Sequence, residues 1–384
     1  MSTFGTIEQA VEDLRNGKII IVADDEDREN EGDLILGAER ATPEKIAFMI
    51  RHTSGILCQP MTGEQLDRLE LPQMVLNNTE TRRTAFTISV DARTGTTTGV
   101  SAEDRARTVV MLSDPEAHPT DFHRTGNIFP LRYREGGVLK RAGHTEAAVD
   151  LARMAGLRPS GVIGELTNDD GSMMRMPELE AFAQQHDIPL ITVADLIAHR
   201  YTTERIMDRV HESTISTESG DWTYRVYRSR MEEGEHLALA MGDIAAGDPV
   251  LTRVHRSCLA GDVFHSKQCT CGAKLRASLK RITAEGRGVL IYLRGFESHE
   301  FGRHESSTTV RGDAGDDRVW REHGLGAQIL QELGVRRMRL MSNTSASFAA
   351  LSGFGLEIVE RVPLITPVVD DATGEDVSTL LGGA

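Results

Sequence analysis

The chain has 384 residues, of which 39% are hydrophobic and 26% charged. These fractions are typical of soluble globular proteins and exclude disordered and membrane-embedded classes. The length predicts two domains of about 150 to 200 residues. The net charge of -15 argues against nucleic-acid binding, and no apolar run approaches the roughly 20 residues that span a bilayer. The N-terminus lacks the features of a signal peptide, so we predict a cytoplasmic protein without nucleic-acid or membrane partners.

Helical periodicity and short apolar strands alternate along the first half of the chain. Residues 6–17 predict a first helix, with Thr6 and Gln9 as a capping box and Gly17 at its end. A buried strand follows at 19–23. Further helices are predicted at 43–52, 102–112, 145–155 and 177–186, with strands at 161–166 and 189–193. This alternation predicts an α/β or layered α+β domain.

A polar stretch separates this region from a second α/β unit. Residues 204–220 are rich in Ser and Thr and lose apolar periodicity after Val210, so we predict a linker there. The predicted domains are therefore 1–203 and 221–384. In the second, we predict strands at 224–229, 236–241, 249–256, 288–294 and 337–342, and helices at 271–286, at 324–334 and from 345.

An acidic segment follows the first predicted strand. Residues 24–33 read DDEDRENEGD, with seven carboxylates in ten positions. Such a run is most often a solvated loop. Here Arg28 and Asn30 interrupt the charges and Gly32 lets the backbone turn, so several carboxylates can converge on one point. Carboxylate oxygens suit a hard cation such as Mg²⁺.

Two later segments carry further candidate residues. In GGVLKRAGHTEAAVD, Arg141 and His144 precede a predicted helix whose N-terminus favours an anion. Taken alone, His144 is more simply read as a structural residue. Glu165 ends the apolar strand GVIGEL, where a carboxylate either faces a cleft or lies at an ordinary solvated strand end.

Four ordered segments together carry a family resemblance: DDEDRENEGD, TTGVSAEDR, GGVLKRAGHTEA and GELTNDDGSM. Over about residues 4–203 the chain resembles 3,4-dihydroxy-2-butanone 4-phosphate synthase. The resemblance implies a homodimer that converts ribulose 5-phosphate with Mg²⁺ or Mn²⁺ and releases formate. A metal bound to the ketose carbonyl would acidify the adjacent C–H, so that a nearby carboxylate can remove the proton.

The resemblance also implies roles for individual residues. Glu29 and His144 would bind the metal, and Arg28 and Asp33 would hold the substrate. The implied catalytic positions are Glu165, Asp33, Cys58 and Asn127. The implied substrate-binding set, including the phosphate turn, adds Arg141, Ala142, Gly143, His144, Thr145 and Glu165. Cys58 is read equally well as a small buried apolar residue.

The first domain departs from this family at several positions. The family has a Pro and a catalytic His where RTGNIFPL places Thr125 and Asn127. Asn cannot gain or lose a proton near neutral pH, so a step that needs an imidazole would be slowed or lost. His123 is not an obvious substitute. The family Cys before the catalytic Glu is Gly164, and a family Gly is Arg83, a pattern that favours altered chemistry over general decay.

Three cysteines lie close together in VHRSCLAGDVFHSKQCTCGAKL. The spacing of Cys258, Cys269 and Cys271 predicts a zinc site with a fourth position for water or substrate. His255 and His265 are alternative fourth ligands, and we favour solvent. Three unrelated buried cysteines are the alternative to a metal site.

The same segment, with GLGAQILQELGV and RVPL, resembles GTP cyclohydrolase II to about residue 364. The order of the two families matches bifunctional riboflavin-pathway proteins. GFESHEFGR replaces a glycine-rich family segment, and the Tyr-bearing family helix has no counterpart between 303 and 317. Arg321 is kept, whereas family positions are altered at Val319, Ser342, Ser347, Ser257 and Lys274. We predict a domain without GTP cyclohydrolase II activity that keeps Zn²⁺ for folding.

Three functions remain open on the sequence alone. The first is a working synthase with a structural or regulatory second domain. The second is a diverged lyase or isomerase that makes a different product from a pentose phosphate in a specialised pathway, because Asn127 relays no proton. Restoring His at that position should then restore formate release. The third is a non-catalytic partner of an active paralogue.

Overall fold

The structure is a computed structural model in which the chain forms two compact units, with the main boundary between His199 and Arg200. It describes residues 4–25, 28–231, 234–244, 249–267, 269–294, 315–343, 354–364, 366–369 and 376–379. None of the helices within these ranges is long and apolar enough to cross a membrane.

The first unit is a layered α/β structure. Its strands are β1 (Ile20–Ala23), β2 (Gly32–Gly37), β3 (Cys58–Met61), β4 (Val90–Ala92), β5 (Phe122–Arg124), β6 (Phe129–Arg132), β7 (Gly161–Glu165) and β8 (Leu190–Thr192). Its helices are α1 (Ile7–Arg15), α2 (Pro43–His52), α3 (Gly63–Arg68), α4 (Ala102–Leu112), α5 (His144–Met154), α6 (Met176–His186) and α7 (Val193–Thr203), of which the last crosses the boundary.

Six of these strands form one mixed sheet in the order β6-β3-β7-β2-β1-β8. Strands β1 and β2 are buried at every position, which explains their apolar runs. The register places Asp33 of β2 opposite Val22 of β1 and opposite Glu165 of β7. Two candidate site carboxylates are therefore direct neighbours across adjacent strands.

Helix boundaries follow their capping residues. The Thr6 hydroxyl caps α1 by accepting from the backbone N–H of Gln9, and Thr42 and Ser101 cap α2 and α4 in the same way. The predicted bounds of α2 and α4 are confirmed. Helix α5 begins one residue earlier than predicted, so that His144 is its first residue.

The second unit is also α/β. Its strands are β9 (Met207–Thr217), β10 (Gly220–Ser229), β11 (Glu235–Met241), β12 (Val250–Arg256), β13 (Gly288–Leu293), β14 (Arg337–Met341), β15 (Glu357–Val362), β16 (Thr366–Val369) and β17 (Asp376–Thr379). Its helices are α8 (Cys271–Glu285) and α9 (Gly315–Glu332), with a π-helical turn at Leu259–Val263. The main sheet has the order β15-β14-β12-β13-β11-β10-β9. The helix predicted from 345 begins outside the described residues.

The linker predicted at 204–220 is corrected by the structure. Most of that segment is β9, which pairs antiparallel with β10 at the edge of the sheet. Nearly all of its side chains are exposed, so it lacks the apolar alternation by which strands are recognised. Val210, Thr214 and Ile215 are β-branched and favour an extended backbone. Gly220, with a φ of 109°, is the first residue of β10 and directly follows the turn between the two strands.

Candidate active site and metal centres

A pocket of about 160 Å³ in the first unit gathers most of the predicted site residues. Its lining includes Arg28, Glu29, Asp33, Cys58, Arg141, His144, Thr145 and Glu165. Ala142 and Gly143 lie within the same turn but do not line the pocket. The acidic loop (residues 24–33), the turn before α5 (residues 141–145) and the end of β7 thus meet at one place.

The acidic loop is folded around Asp24, a residue that the sequence reasoning did not single out. The buried carboxylate of Asp24 accepts from the backbone N–H groups of Glu29 and Glu31, at 3.2 and 2.9 Å. It also accepts from Arg28 Nη1 at 2.6 Å, and the same nitrogen donates to Glu29 Oε2 at 2.8 Å. The only sequence signal was that Asp24 directly follows a buried strand. Its hydrogen bonds curl the loop so that Glu29 faces the pocket.

His144, at the first position of α5, is surrounded by carboxylates. Its Nδ1 atom lies 3.5 Å from Asp33 Oδ1 and 3.8 Å from Glu29 Oε2. One ligand atom each of Asp24, Glu29 and His144 lies within 4.8 Å of the others. His144 Nε2 and Asp33 Oδ1 are buried and have no hydrogen-bond partner among the described residues. Such orphaned atoms fit a divalent cation bound by oxygen and imidazole ligands.

Burial and crowding shift the acidity of these groups. Burial raises the pKa of Asp33 well above its usual value, and the nearby carboxylates of Glu165 and Glu29 raise it further. Burial likewise raises the pKa of Glu165, with a further contribution from Glu29. Burial lowers the pKa of His144, against the opposing effect of Asp24. The neutral imidazole suits a metal ligand, and the raised carboxyl pKa values suit proton transfer.

The turn before α5 has the geometry of an anion site. A Cβ atom on Gly143 would lie 2.8 Å from both Arg141 Nη1 and Arg28 Nη2, so glycine lets two guanidinium groups approach the helix N-terminus. Arg141 Nη1 donates to the buried Glu146 carboxylate at 2.7 Å, and its Nη2 donates to Thr84 Oγ1 at 3.2 Å. Burial raises the pKa of Glu146, although Arg141 opposes that shift. The Arg141 side chain is therefore held in one direction.

Two other lining positions bear on the chemistry. Burial raises the pKa of the Cys58 thiol, with Asp33 and Glu165 adding to the shift, so this cysteine stays a neutral thiol. Gly164 also lines the pocket, and a Cβ atom there would lie 3.1 Å from Thr53 Oγ1. Arg83, beside the lining residue Thr84, has a left-handed φ of 53°, a conformation that favours glycine.

Asn127 does not line the pocket of its own chain. Its backbone N–H donates to Asp91 Oδ1 at 2.8 Å, and its Nδ2 atom donates to Asp91 Oδ2 at 2.7 Å. Asp91 is a buried residue of β4 that the sequence reasoning missed, although an acid inside TISVDA, where polar and apolar residues alternate as in a strand, was a signal. The carboxylate fixes the amide, and the implied catalytic role of Asn127 is not fulfilled within the pocket of one chain.

The three cysteines of the second unit lie together around the turn at Leu259–Val263. Their sulfur atoms all lie within 4.8 Å of one another, and Cys258 Sγ is 3.8 Å from Cys269 Sγ. Two sulfurs that are each about 2.3 Å from a tetrahedral ion lie about 3.8 Å apart, so the spacing fits zinc. A Cβ atom on Gly261 would lie 2.7 Å from Cys269 Sγ, which explains the glycine between them.

The cluster has polar neighbours, of which the His255–Asp262 pair is buried. Neither alternative ligand groups with the thiols within the described ranges: His255 Nε2 lies 3.0 Å from Asp262 Oδ2, and His265 Nδ1 lies 2.8 Å from Arg276 Nη1. Burial favours a higher pKa for Asp262, but hydrogen bonds, chiefly from His255, hold that pKa below its usual value. Burial lowers the pKa of Arg253 to about 10, and nearby Cys271 opposes the shift.

These two sites coincide with two family matches. Residues 8–199 match the family model for 3,4-dihydroxy-2-butanone 4-phosphate synthase, and residues 208–363 match that for GTP cyclohydrolase II. A riboflavin biosynthesis protein RibBA from Salinispora arenicola is 50% identical over 376 residues, which cover 95% of this chain and 90% of that protein. The chain belongs to the RibBA family of riboflavin biosynthesis proteins.

Solved structures extend the likeness of this RibBA-family protein to three dimensions. RibBX, a two domain 3,4-dihydroxy-2-butanone 4-phosphate synthase from A. baumannii, is 38% identical with a TM-score of 0.78, and the match covers 93% of this chain and 99% of that one. A 3,4-dihydroxy-2-butanone 4-phosphate synthase in complex with two magnesium ions is 46% identical with a TM-score of 0.51, over 52% of this chain and 98% of that one. The predicted resemblances and α/β fold class are confirmed: a lyase-family domain precedes a GTP cyclohydrolase II-like domain.

Proposed function

We propose that the first domain converts D-ribulose 5-phosphate into 3,4-dihydroxy-2-butanone 4-phosphate and formate with Mg²⁺ or Mn²⁺. The observation that carries this proposal is the buried His144 Nε2 atom, which has no hydrogen-bond partner among the described residues and lies in a pocket with Glu29. A likeness to a synthase solved with two magnesium ions supports the choice of metal. Bound there, the metal would polarise the ketose carbonyl and acidify the adjacent C–H bond.

The protein's own groups would then move the proton and hold the sugar. Glu165, whose pKa burial raises, would remove and return the proton. Asp33 lies opposite Glu165 in the sheet, and its own raised pKa lets it donate a hydrogen bond to a sugar oxygen. The neutral thiol of Cys58 would contact the substrate without acting as a nucleophile.

The phosphate would lie at the N-terminus of α5. Backbone N–H groups of His144 and Thr145, in the first turn of α5, would face it, with the guanidinium groups of Arg28 and Arg141 on either side. Two of the Arg141 side-chain hydrogen bonds are to Glu146 and Thr84, which fix its direction before substrate arrives. Such preorganisation reduces the entropy lost on binding.

We also propose a homodimer in which a second copy supplies Asn127 to the pocket. Asn127 does not line the pocket of its own chain, whereas the resemblance implies a role for it in the reaction. The first unit also exposes large apolar side chains at Ile56, Met74, Val75, Leu76 and Val100, and Ile56 itself lines the pocket. Apolar exposure of this kind at a pocket rim favours a protein interface.

A second candidate function is a redirected reaction with a different product. The side-chain Nδ2 atom of Asn127 donates to Asp91 Oδ2 at 2.7 Å and to the Thr98 carbonyl oxygen at 3.5 Å, so both of its N–H donors are used and the amide oxygen is left to face a ligand. An amide oxygen accepts a hydrogen bond but carries no proton between substrate positions. The enzyme would then consume ribulose 5-phosphate without an equal yield of formate.

For the second domain we propose a zinc-stabilised structural role without GTP cyclohydrolase II activity. Ser257 and Lys274 replace family residues beside the three cysteines, and Ser342 replaces another at the end of β14. The side chains of Val319, Arg321 and Ser347, and the segment 295–314, lie outside the described residues. Incubation with GTP should therefore give no formate or pyrophosphate. A cytoplasmic location stays a prediction.

The first-domain proposal is tested by assaying purified protein with ribulose 5-phosphate and Mg²⁺. Formate and the four-carbon phosphate should appear in equal amounts. Glu103→Gln, at an exposed carboxylate of α4, is the control for Glu165→Gln and should leave turnover unchanged. Consumption of substrate without formate would favour the redirected reaction, and no metal-dependent consumption would reject both.

A further inference from the structure

We propose that Asp262 and Arg253, neither of which is a ligand, build the three-cysteine metal site: Asp262 positions Cys258, and Arg253 balances the negative charge of the thiolates. The inference rests on the proposed zinc site. It explains why a domain with an altered nucleotide pocket would still keep a buried polar network beside its cysteines.

Asp262 lies where three hydrogen-bond donors converge. The backbone N–H of Cys258 donates to Asp262 Oδ2 at 2.9 Å, and Tyr292 Oη donates to the same oxygen at 2.8 Å. His255 Nε2 completes the set at 3.0 Å. The rings of His255 and Tyr292 are stacked with centroids 5.5 Å apart, which fixes both donors. One carboxylate thus ties β12 and β13 to the first cysteine.

The turn that carries Asp262 also sets the positions of the other two cysteines. Within it, the Gly261 N–H donates to Cys258 Sγ at 3.4 Å. A Cβ atom on Gly272, the second residue of α8, would lie 2.0 Å from the Gly261 carbonyl oxygen, so turn and helix touch through their backbones. Cys271 begins that helix. Loss of the Asp262 carboxylate would leave buried donors unpaired and loosen the whole cluster.

Arg253 carries the positive charge that the proposal pairs with the thiolates. Its Nη1 atom donates to the Met341 carbonyl at 2.8 Å, and its buried Nε atom has no hydrogen-bond partner in the described ranges. Arg253 lies on β12, the strand that ends two residues before Cys258. Its charge is attracted by Cys271 and repelled by Arg256. No carboxylate pairs with Arg253 among the described residues, and a buried guanidinium needs a negative charge nearby.

A metal-bound cluster would supply that charge. Three thiolates and one divalent cation carry a net charge of minus one, which the single positive charge of Arg253 would neutralise. Groups outside the ligand set commonly change metal affinity by about 10- to 100-fold when they are removed. Asp262 and Arg253 are therefore expected to act on zinc retention without touching the ion.

The test measures zinc content and zinc affinity of the full chain by chelator competition. Asp262→Asn and Arg253→Met should each weaken zinc binding about 10- to 100-fold, whereas Arg253→Lys, which keeps the charge, should retain most of the affinity. Asp221→Asn and Arg281→Met change exposed residues of the same unit and are the matched controls. Circular dichroism shows whether each variant is folded.

Several results would overturn the proposal. Wild-type affinity in Asp262→Asn and Arg253→Met would do so, as would an equal loss in folded Arg253→Lys and Arg253→Met. If Asp262→Asn fails to fold, Tyr292→Phe removes one donor to the same carboxylate, and unchanged affinity in that variant rejects the positioning role. If the wild-type chain binds no zinc at its cysteines, the zinc-site proposal is rejected together with this inference. Formate release by the first domain tests the synthase proposal separately.

Discussion

The two candidate metal sites differ in the residues that surround their ligand atoms. In the first unit, Glu29 and His144 share one pocket with Glu165 and with Arg141 and Thr145, so the proposed metal donors, phosphate site and proton carrier lie together. In the second unit, three thiols lie together beside a buried polar network, and residues that the resemblance assigns to the nucleotide site are altered. The proposals therefore assign one metal site to chemistry and the other to folding.

Removal of the divalent metal should have the largest effect on formate release and should distinguish the two sites. Because the proposed metal would polarise the ketose, His144→Ala or chelation of Mg²⁺ should reduce formate release by about 1,000-fold or more. Cys258→Ala should instead reduce zinc content and the stability of the second domain. The measurement is formate yield beside zinc content for both variants. Full formate release after chelation would contradict the assignment of the first site.

Loss of the proton carrier should have the next largest effect. Glu165→Gln keeps the shape of the side chain but cannot accept a proton, so kcat should fall about 100- to 10,000-fold with a smaller change in KM. Since burial raises the pKa of Glu165, the wild-type rate should decrease as pH falls through a value above that of a free glutamate. Steady-state kinetics across pH provide the measurement. An unchanged kcat would assign the base elsewhere.

Asn127→His tests whether one residue limits the chemistry of the first site. An imidazole bound to Asp91 can gain and lose a proton, and such catalysis contributes about 100-fold or more, so the rate of formate release should rise. Asn127→Gln is the matched control and should give no gain in rate. Equal rates of formate release by the wild-type chain and Asn127→His would show that the amide already suffices.

The sequence predicted much of this arrangement, for identifiable reasons. Helix α2 begins and ends as predicted because Thr42 caps it and Pro43 opens it. Glu29, His144 and Glu165 were placed through family motifs, and the structure brings all three into one pocket. Their convergence reflects a sheet register that no local pattern encodes.

The features that the sequence did not predict fall into two kinds. Some depend on contacts between residues far apart in the chain, and one is an exposed strand without a recognisable pattern. Strand β9 was missed because it is exposed on both faces and so lacks alternation. Asp91 was missed because its role comes from Asn127, 36 residues away in the chain. Arg253 and Asp262 look like ordinary surface charges in the sequence. Only the fold shows that one is near Cys271 and that the other binds the backbone of the first cysteine.

Glu146→Gln should weaken substrate binding while leaving the chemistry of the first site in place. Glu146 is buried and accepts a charged hydrogen bond from Arg141, so its neutral replacement should release the arginine and raise KM about tenfold. The effect on kcat should be smaller. Glu64→Gln, at an exposed position of α3, should change neither constant. A fall in kcat without a change in KM would show that Glu146 acts on the reacting carbon atoms instead.

Arg83→Gly should have the smallest effect. The residue holds a φ of 53°, which costs a non-glycine residue about 1 kcal/mol, so glycine should raise the free energy of unfolding by about that amount. Arg83→Ala removes the same guanidinium but keeps the Cβ atom, and should give no such gain. Urea unfolding measures both. A rise in KM shared by the two variants would assign Arg83 a contact with the substrate.

The most direct measurement of the central claim follows every carbon of ribulose 5-phosphate by NMR during incubation with the full chain and Mg²⁺. We predict metal-dependent consumption, with formate and 3,4-dihydroxy-2-butanone 4-phosphate formed in equal amounts. Ribulose 5-phosphate that persists unchanged, with or without metal, would contradict it.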